Sequence, residues 1–481
     1  VGSEMCIRDR YVAFAKGAPD ILLQRCTGIL MDGEVSPLQI EDRAQILNVN
    51  ASLSSDALRV LAAAYRPMDE VPVEPNANEV EQDLIFLGMI GMIDPARPEV
   101  RPAIAEARTA GIKTVMITGD YPNTAIAIAN ELDLWRSGDL TLTGVELDNM
   151  DDEQFAHVVE SVDVYARVSP QHKVRIVEAL QSKGHTVAMT GDGVNDAPAL
   201  KRSSIGVAMG ITGTDVSKEA SDMVLTDDNY ASIVAAVEEG RIIYANIRKF
   251  VFYLLSCNVA EILIIFLAIL AKLPLPLTAI QLLVLNLITD GAPALALGME
   301  KGDPDTMDVP PRPADEPVIN REMQVGIVVQ SIVITAAVLT AFVVGLNWYG
   351  DVGQGLIIAQ TMAFGTLSIS ELIRAYTSRS ERYSLFQIGL FRNKWMQYAV
   401  LSSLAILLAI IYVPLLQTIF KTTSLGSREW AVMLPLLFLP AIAAEITKVF
   451  LRMPRLQGWL HPAAAPTMVE YANPSSKERT V

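Results

Sequence analysis

Cysteine is scarce in this sequence: Cys6, Cys26 and Cys257 are the only three in 481 residues. They form no paired pattern and no metal-ligand spacing, which argues against a disulfide scaffold and suits a reducing compartment. A surplus of basic residues is missing as well, since 38 Lys and Arg stand against 54 Asp and Glu for a formal net charge of −16. A nucleic-acid partner demands a basic surface, so none is expected. The acidity falls largely in the first half, where solubility alone accounts for it and a cation carrier tolerates it. Val1 to Arg10 have no strand or helix period and lack the apolar core of a signal peptide. They read as an unrelated or disordered tail without function.

What is abundant is apolar residues, 51% of the chain, with a mean hydropathy of +0.33. The excess is unevenly spread. Residues 1–240 read as a soluble mixture, and from about residue 248 long apolar runs dominate. In the first half, Tyr11–Ala15 alternates like a strand and leads through a turn into a helix at Ile21–Arg25. A further strand is expected at Leu58–Tyr65, and the Pro- and Asn-rich stretch 71–80 is a loop. The apolar run Leu84–Ile93 suits a buried strand opening a second block. Strands at Thr114–Thr118, Asp163–Ala166, Thr186–Thr190, Ile205–Met209 and Met223–Leu225 follow. They alternate with helices at Arg101–Ala110, Asn123–Leu132 and Lys173–Gln181, a pattern that implies a parallel α/β sheet.

Six spans of roughly 20 residues, the length a bilayer core requires, come next. They are placed at Phe250–Leu270, Leu277–Leu297, Val325–Leu346, Leu356–Ala375, Met396–Leu416 and Ala431–Phe450. Basic residues gather after the fourth span (Arg374, Arg379, Arg382, Arg392, Lys394) and in the tail (Lys448, Arg452, Arg455), whereas the linkers after the first and third spans carry only Lys272. The even-numbered linkers and the tail are therefore expected on the cytoplasmic side, with the soluble half.

Three loops of the soluble half carry chemistry. Thr190-Gly191-Asp192-Gly193-Val194-Asn195-Asp196-Ala197-Pro198 follows a strand. Its glycines permit a tight turn, and two carboxylates with an amide suit an oxygen-ligand site for Mg²⁺ at the edge of a parallel sheet. Taken alone it reads equally well as a surface turn. Thr118-Gly119-Asp120 also follows a strand, and a hydroxyl with turn amides can hold a phosphoryl oxygen. Lys173 can neutralise charge on a transferring phosphoryl group, or simply be a solvated lysine at a helix start. His172 beside it reads as a local hydrogen-bonding residue.

In the apolar half, Asn258 and Glu261 interrupt the first span, Asn286, Thr289 and Asp290 the second, and Glu371 the fourth. An ionisable residue inside a span costs roughly 2.5–3.5 kcal/mol on insertion scales, so a function is expected of it. The spacings i, i+3 and i, i+3, i+4 put each set on one helix face. Three carboxylates, two amides and a hydroxyl suit a hard cation rather than copper or a soft metal. A buried polar network is the alternative. It is disfavoured because three carboxylates without basic partners repel one another. Cys257, about 100° from Asn258 on a helix, reads as a small packing residue. Gly291 and Pro293 can break the second span and free carbonyls for ions.

Together, Lys16-Gly17-Ala18-Pro19-Asp20, Asp94-Pro95-Ala96-Arg97-Pro98, Thr118-Gly119-Asp120, Ala166 to Lys173 and Thr190 to Pro198 resemble P-type ATPases in order and spacing, over nearly all of residues 11–455. Asn258-Val259-Ala260-Glu261 and Asn286 to Pro293 resemble calcium pumps of the sarcoplasmic-reticulum kind. That resemblance implies a haloacid-dehalogenase-like Rossmannoid α/β phosphorylation domain and a remnant of a nucleotide-binding domain, followed by an all-α bundle of six transmembrane helices. The expected divisions are 1–10 tail, 11–83 nucleotide-binding remnant, 84–235 phosphorylation domain, 236–455 stalk and membrane helices, and 456–481 cytoplasmic tail.

The resemblance further implies ATP as substrate and Mg²⁺ as cofactor. By it Asp192 is a Mg²⁺ ligand, and Asn195 and Asp196 shape the phosphate site. Thr118, Gly119, Asp120 and Lys173 hold the phosphoryl group, Lys16 and Arg59 contact ATP, and Asp94 and Arg97 sit at a hinge. The transported cation, calcium first and Mn²⁺, Na⁺ or H⁺ as alternatives, takes Asn258, Glu261, Thr289, Asp290 and Glu371 in one site and Asn286 and Asp290 in another. Glu445 is expected to be structural. A monomeric pump, surrounded by lipid in a bacterial plasma membrane, is the implied setting. No Asp-Lys-Thr-Gly-Thr motif and no Thr-Gly-Glu loop occurs in the sequence. The expectation is therefore a chain that starts late in the family's pattern. It would not hydrolyse ATP by itself, and its sheet would lack a central strand and leave two strand edges unpaired. A membrane fragment without enzyme activity is the alternative.

Overall fold

The computed structural model describes residues 11–55, 58–70, 76, 80–92, 96–136, 138–313, 316–451 and 453. The expected tail Val1–Arg10, Asp94 of the hinge motif and the basic residues Arg452 and Arg455 lie outside them. Two compact units divide the chain: Val1–Val237 with Met307–Pro311, and Glu238–Thr306 with Arg312–Val481.

The first unit contains three sheets. β1 (Tyr11–Gly17), β2 (Cys26–Met31), β3 (Glu34–Pro37), β4 (Arg59–Met68) and β5 (Leu84–Met92) form one of five strands, in the order β1-β4-β5-β2-β3. Its core is made by the inward residues Ala15, Cys26, Ile29, Ala62, Ala64, Leu84 and Phe86, with Leu22 and Leu23 of the helix Pro19–Gln24 packed on them. β5 corrects two expectations. It pairs antiparallel with β4 and parallel with β2, so it completes the first sheet instead of opening the second block. Only its first half is buried, since Leu87, Ile90 and Met92 are exposed. An apolar run shows that a strand is stable but not which sheet pairs with it.

The other strands, β6 (Met116–Ile117), β7 (Leu140–Thr143), β8 (Val162–Ala166), β9 (Ala188–Gly191), β10 (Ile205–Met209) and β11 (Met223–Leu225), pair in parallel as the βα alternation implies. They make two three-stranded sheets, β6-β8-β7 and β11-β10-β9. β6 and β9 are therefore both edge strands among the described residues. Both are also shorter than the sequence suggests, because a strand bonded on one side only holds its ends less well. The helix Pro170–Ser182 serves both sheets, with Ile176 in the core beside β8 and Val177 in the core beside β9. Ser169 caps it: its Oγ accepts from the His172 N–H at 3.4 Å while its own N–H donates to His172 Nδ1 at 3.1 Å.

Among the described residues, six helices are long and apolar enough to cross a membrane: Tyr230–Leu270, Ala279–Gly298, Arg321–Tyr349, Gly353–Thr377, Lys394–Tyr412 and Ser427–Leu451. These are the first to sixth spans below. Each expected span falls within or largely overlaps one of them. The fifth ends at Tyr412, ahead of Pro414, which starts a new short helix. In the second unit Ala260, Ile264, Val284, Ile334, Val338, Phe342, Phe364, Leu367 and Leu407 form one apolar core.

Two of the residues counted as linker charges are not free. Arg374 lies inside the fourth span at 1% exposure, and Arg379 is fully buried. Arg379 donates from Nε to Glu300 Oε2 at 2.8 Å and from Nη2 to Glu300 Oε1 at 3.0 Å. Its Nη1 reaches the carbonyls of Gly389 and Leu390. Asn393 donates to Glu300 Oε2 at 2.9 Å, and Asn246 of the first span to the Glu300 carbonyl at 2.6 Å. Arg382, Arg392 and Lys394 remain to carry the charge bias. The Arg379–Glu300 pair thus joins the first, second, fourth and fifth spans near one end. Removing one partner strands a buried charge. Arg379→Met is expected to cost about 3–5 kcal/mol and to lower the unfolding temperature in detergent. Adding Glu300→Leu should restore most of the loss.

Candidate functional site

The chemistry-bearing loops of the first unit follow the C-terminal ends of strands. After β6, Thr118 Oγ1 accepts from the Asp120 N–H at 3.1 Å and donates to Asp120 Oδ2 at 3.0 Å. After β8, the Val168 N–H donates to the Thr118 carbonyl at 3.3 Å and the Arg167 N–H to the Asp120 carbonyl at 3.1 Å. The Thr118-Gly119-Asp120 turn is thereby held against the segment that leads to Lys173. Lys173 Nζ in turn donates to Asp196 Oδ1 at 2.6 Å, a largely buried pair.

Asp196 organises the third loop. Its Oδ2 accepts from the Asp192 N–H at 3.2 Å and the Gly193 N–H at 3.1 Å. The side chain packs so closely under the strand end that a Cβ on Gly191 would stand 2.4 Å from Asp196 Cβ. Only glycine fits there. The Asp192 carbonyl accepts from the Thr214 N–H at 2.8 Å and from Ser217 Oγ at 3.2 Å. The Asp192 carboxylate and the Asn195 amide are exposed and make no hydrogen bond among the described residues. The structure therefore bonds Lys173 directly to Asp196, ties Thr118 to Val168 on the segment leading to Lys173, and sets Asp192 and Asn195 on the same loop as Asp196. His172 is tied locally, Nε2 lying 2.9 Å from Asp148 Oδ1.

Lys16 is exposed on β1, with Gly17 paired to Ala62 of β4. Arg59 begins β4, three residues beyond that pairing, at the same end of the sheet. Arg97 donates from Nη1 to the carbonyls of Asp227 at 3.1 Å and Asp228 at 2.8 Å. Asp228 was not marked by its sequence. Its carboxylate accepts from the N–H groups of Gly210, Ile211 and Thr212 and from the Thr212 hydroxyl, at 2.6 to 3.0 Å.

In the second unit the polar residues of three spans converge. Asn286 is exposed, and its Nδ2 donates to Glu261 Oε2 at 2.8 Å. Asp290 is 1% exposed and accepts at Oδ1 from the Tyr253 hydroxyl at 3.0 Å. Glu371 is fully buried, and neither of its carboxylate oxygens has a hydrogen-bond partner among the described residues; Glu261 Oε1 is likewise unpartnered. Thr289 is buried with its hydroxyl donated to the Leu285 carbonyl at 2.9 Å. Asn258 is half-buried and makes no hydrogen bond among the described residues. Neither Thr289 nor Asn258 is bonded to a carboxylate. Glu445 pairs with Lys448 at 2.9 Å, away from this cluster in sequence and bonding.

The second span is broken, but one step earlier than Gly291 and Pro293 suggest. Leu285–Thr289 is a π-turn, closed by the Asp290 N–H on the Leu285 carbonyl at 2.9 Å. The extra residue in that turn rotates Asp290 relative to a regular helix. Sequence spacing alone could not disclose it.

Two further residues stand at the cluster. Cys257, expected to pack away from Asn258, has its Sγ grouped with carboxylate oxygens of Asp290 and Glu371, all within 4.8 Å of one another. The signal was present: Cys257 is i, i+4 from Glu261 and so shares its face. Arg374, one turn after Glu371, is the basic residue that the sequence reading did not place here. It donates from Nε to Ser256 Oγ at 3.0 Å and forms no ion pair with the three carboxylates among the described residues.

A multi-pass integral membrane protein with an α/β half and a buried carboxylate cluster is the class these features define. Comparison with known proteins narrows it. The family described as "P-type ATPase, cytoplasmic domain N" matches residues 4–99, and "Cation transporting ATPase, C-terminus" matches residues 274–450. The chain is 48% identical over 433 residues to a calcium-transporting ATPase of Bacillus subtilis, covering 90% of this chain and 48% of that protein. It is 46% identical over 453 residues to calcium-transporting ATPase 1 of Bacillus cereus, covering 92% and 51%. It is 40% identical over 439 residues to the human calcium-transporting ATPase type 2C member 1, covering 91% and 46%. The chain spans about half the length of the curated relatives it matches. It belongs to the P-type cation-transporting ATPases.

The Asp228 knot gives a pH test. Partial desolvation opposes ionisation of this carboxyl, but the Ile211, Thr212 and Gly210 donors outweigh it and bring its pKa from 3.8 down to about 2. A depressed carboxyl pKa stabilises the fold above the ordinary value, and that contribution is lost as pH falls toward 2. The gap in unfolding temperature between the wild type and Asp228→Asn should be widest at neutral pH. It should shrink below about pH 4. A gap independent of pH would count against the charge of Asp228 as its source.

Proposed function

We propose that the whole protein transports calcium across a membrane, driven by ATP through an aspartyl-phosphate cycle. The observation that carries this reading is the buried trio Glu261, Asp290 and Glu371, in which Glu261 Oε1 and both oxygens of Glu371 have no hydrogen-bond partner among the described residues. Oxygen atoms withheld from hydrogen bonding inside a membrane bundle suit a hard divalent cation as cargo. Asn258, Asn286 and Thr289 supply further oxygens on the same two spans, Asn286 and Asp290 serving a second ion position. The relatives' names agree on calcium.

On the cytoplasmic side the parallel strands support a haloacid-dehalogenase-like phosphorylation domain, which we take to begin after β5. The five-stranded sheet is the nucleotide-binding portion, where Lys16 and Arg59 contact ATP. Mg²⁺ fits the loop after β9, because the Asp192 carboxylate is exposed and free while its own carbonyl is engaged. When bound, Mg²⁺ supplies charge neutralisation for phosphoryl transfer. Thr118, Gly119 and Asp120 offer a hydroxyl and turn amides to phosphoryl oxygens. Lys173 brings a positive charge already oriented by Asp196, and Asn195 shapes the same pocket. A plasma membrane is the setting that the bacterial relatives favour, with the soluble half in the cytoplasm.

The reading is tested in the whole protein with Glu261→Gln. It should lose Ca²⁺-activated phosphorylation from ATP while keeping phosphorylation from inorganic phosphate, because the ion ligands and the phosphate loops lie in different units. Asp290→Asn should act the same way and more strongly. Asp192→Asn should do the reverse, impairing Mg²⁺-dependent phosphorylation while leaving equilibrium ⁴⁵Ca²⁺ binding in place. If Glu261→Gln kept activation at micromolar calcium, these carboxylates would be scaffold.

A further inference from the structure

The calcium reading treats the membrane cluster as a set of oxygens, yet the structure puts a sulfur in it. Cys257 lies one turn before Glu261 on the first span, and its Sγ, an Asp290 oxygen and a Glu371 oxygen are all within 4.8 Å of one another. Cys257 and Glu371 are 0% exposed and Asp290 is 1% exposed. Two donors at the widest of these separations can share one ion at about 2.4 Å from each, within the usual range for divalent metal–ligand bonds. A buried thiol by itself is only a small apolar side chain. Here a second, independent observation stands beside it, since both oxygens of Glu371 are buried without a partner.

We propose that Cys257 is a specificity-determining ligand that makes this a mixed sulfur–oxygen site, able to take a thiophilic divalent cation of the cadmium class in competition with calcium. The inference rests on the reading of this cluster as the transported-ion site. Calcium is hard and gains little from sulfur, so its affinity comes from the carboxylates. Cadmium keeps the carboxylates and adds a metal–sulfur bond, as soft ligands favour soft metals. On binding, the S–H bond is replaced by an S–Cd bond and the thiol proton leaves to solvent, with no change of oxidation state. The sulfur thus raises affinity selectively for the thiophilic ion, and the same bond slows its release.

The test uses the full chain in detergent with Cys6→Ser and Cys26→Ser, so that Cys257 is its single thiol. Cd²⁺ alone is the probe, read by the ultraviolet sulfur-to-cadmium charge-transfer band and by equilibrium binding. The expected result is a saturable band, erased by further change of Cys257 to Ser and by Glu371→Gln. The Cd²⁺ to Ca²⁺ affinity ratio should fall at least tenfold in Cys257→Ser. Added Ca²⁺ should displace the band in the protein that retains Cys257, a measurement that needs no change at that position. A band left untouched by calcium that demonstrably binds the protein, or an affinity ratio that survives Cys257→Ser, overturns the proposal. If no calcium binds while the band forms and depends on Glu371, the calcium reading fails and the sulfur–oxygen site stands.

Discussion

A carboxylate taken out of water needs donors or a cation to replace its hydration, and the second unit buries Glu261, Asp290 and Glu371 in an apolar bundle. Glu261 receives one donor from Asn286 and Asp290 one from Tyr253, while among the described residues Glu371 has no hydrogen-bond partner at either oxygen. The nearby Arg374 turns to Ser256. The contrast with Arg379 and Glu300 is instructive. That pair is equally buried, but every face of it is bonded, and it holds spans together. One ionic cluster is satisfied and structural. The other keeps oxygens unpartnered among the described residues where spans converge, and it is this that supports the proposed ion site.

The local backbone serves the same end. A π-turn costs regular hydrogen bonding, and it occurs only at Leu285–Thr289 among the described helices. It contains Asn286 and ends directly before Asp290, and the two therefore diverge from the regular helix spacing. Asn286 turns toward Glu261 and Asp290 toward Tyr253 and Glu371. Packing around the bundle core supplies the stability that lets this turn persist.

Much of this was legible in the sequence because the signals were long or local. Apolar runs of bilayer length gave six helices, and βα alternation gave parallel strands at the phosphate loops. What escaped depends on partners distant in sequence. The run Leu84–Ile93 looked like the start of a domain, but its neighbours are β4 and β2. Arg374 and Arg379 looked like linker charges, since a basic residue near a span end is ordinarily free. Their burial depends on Ser256 and Glu300, residues 118 and 79 positions away. Cys257 was judged against Asn258, its neighbour in sequence, rather than against Glu261, its neighbour on the helix face.

The loop after β9 shows why a motif's residues need not share one role. Asp192, Asn195 and Asp196 lie within five positions, and each is chemically able to bind a metal. The structure separates them by what each has already spent. Asp196 uses both carboxylate oxygens, one on Lys173 and one on the two N–H groups that shape the turn. It is the strut that fixes Lys173, on the helix that follows β8, against the turn after β9, and the missing Cβ of Gly191 makes room for it. Asp192 spends its carbonyl on Thr214 and Ser217 and keeps its carboxylate free. On the proposed reading Asp192, whose backbone is held and whose carboxylate makes no hydrogen bond among the described residues, would be the acid that meets the metal, and Asp196 the one that holds the turn beneath it.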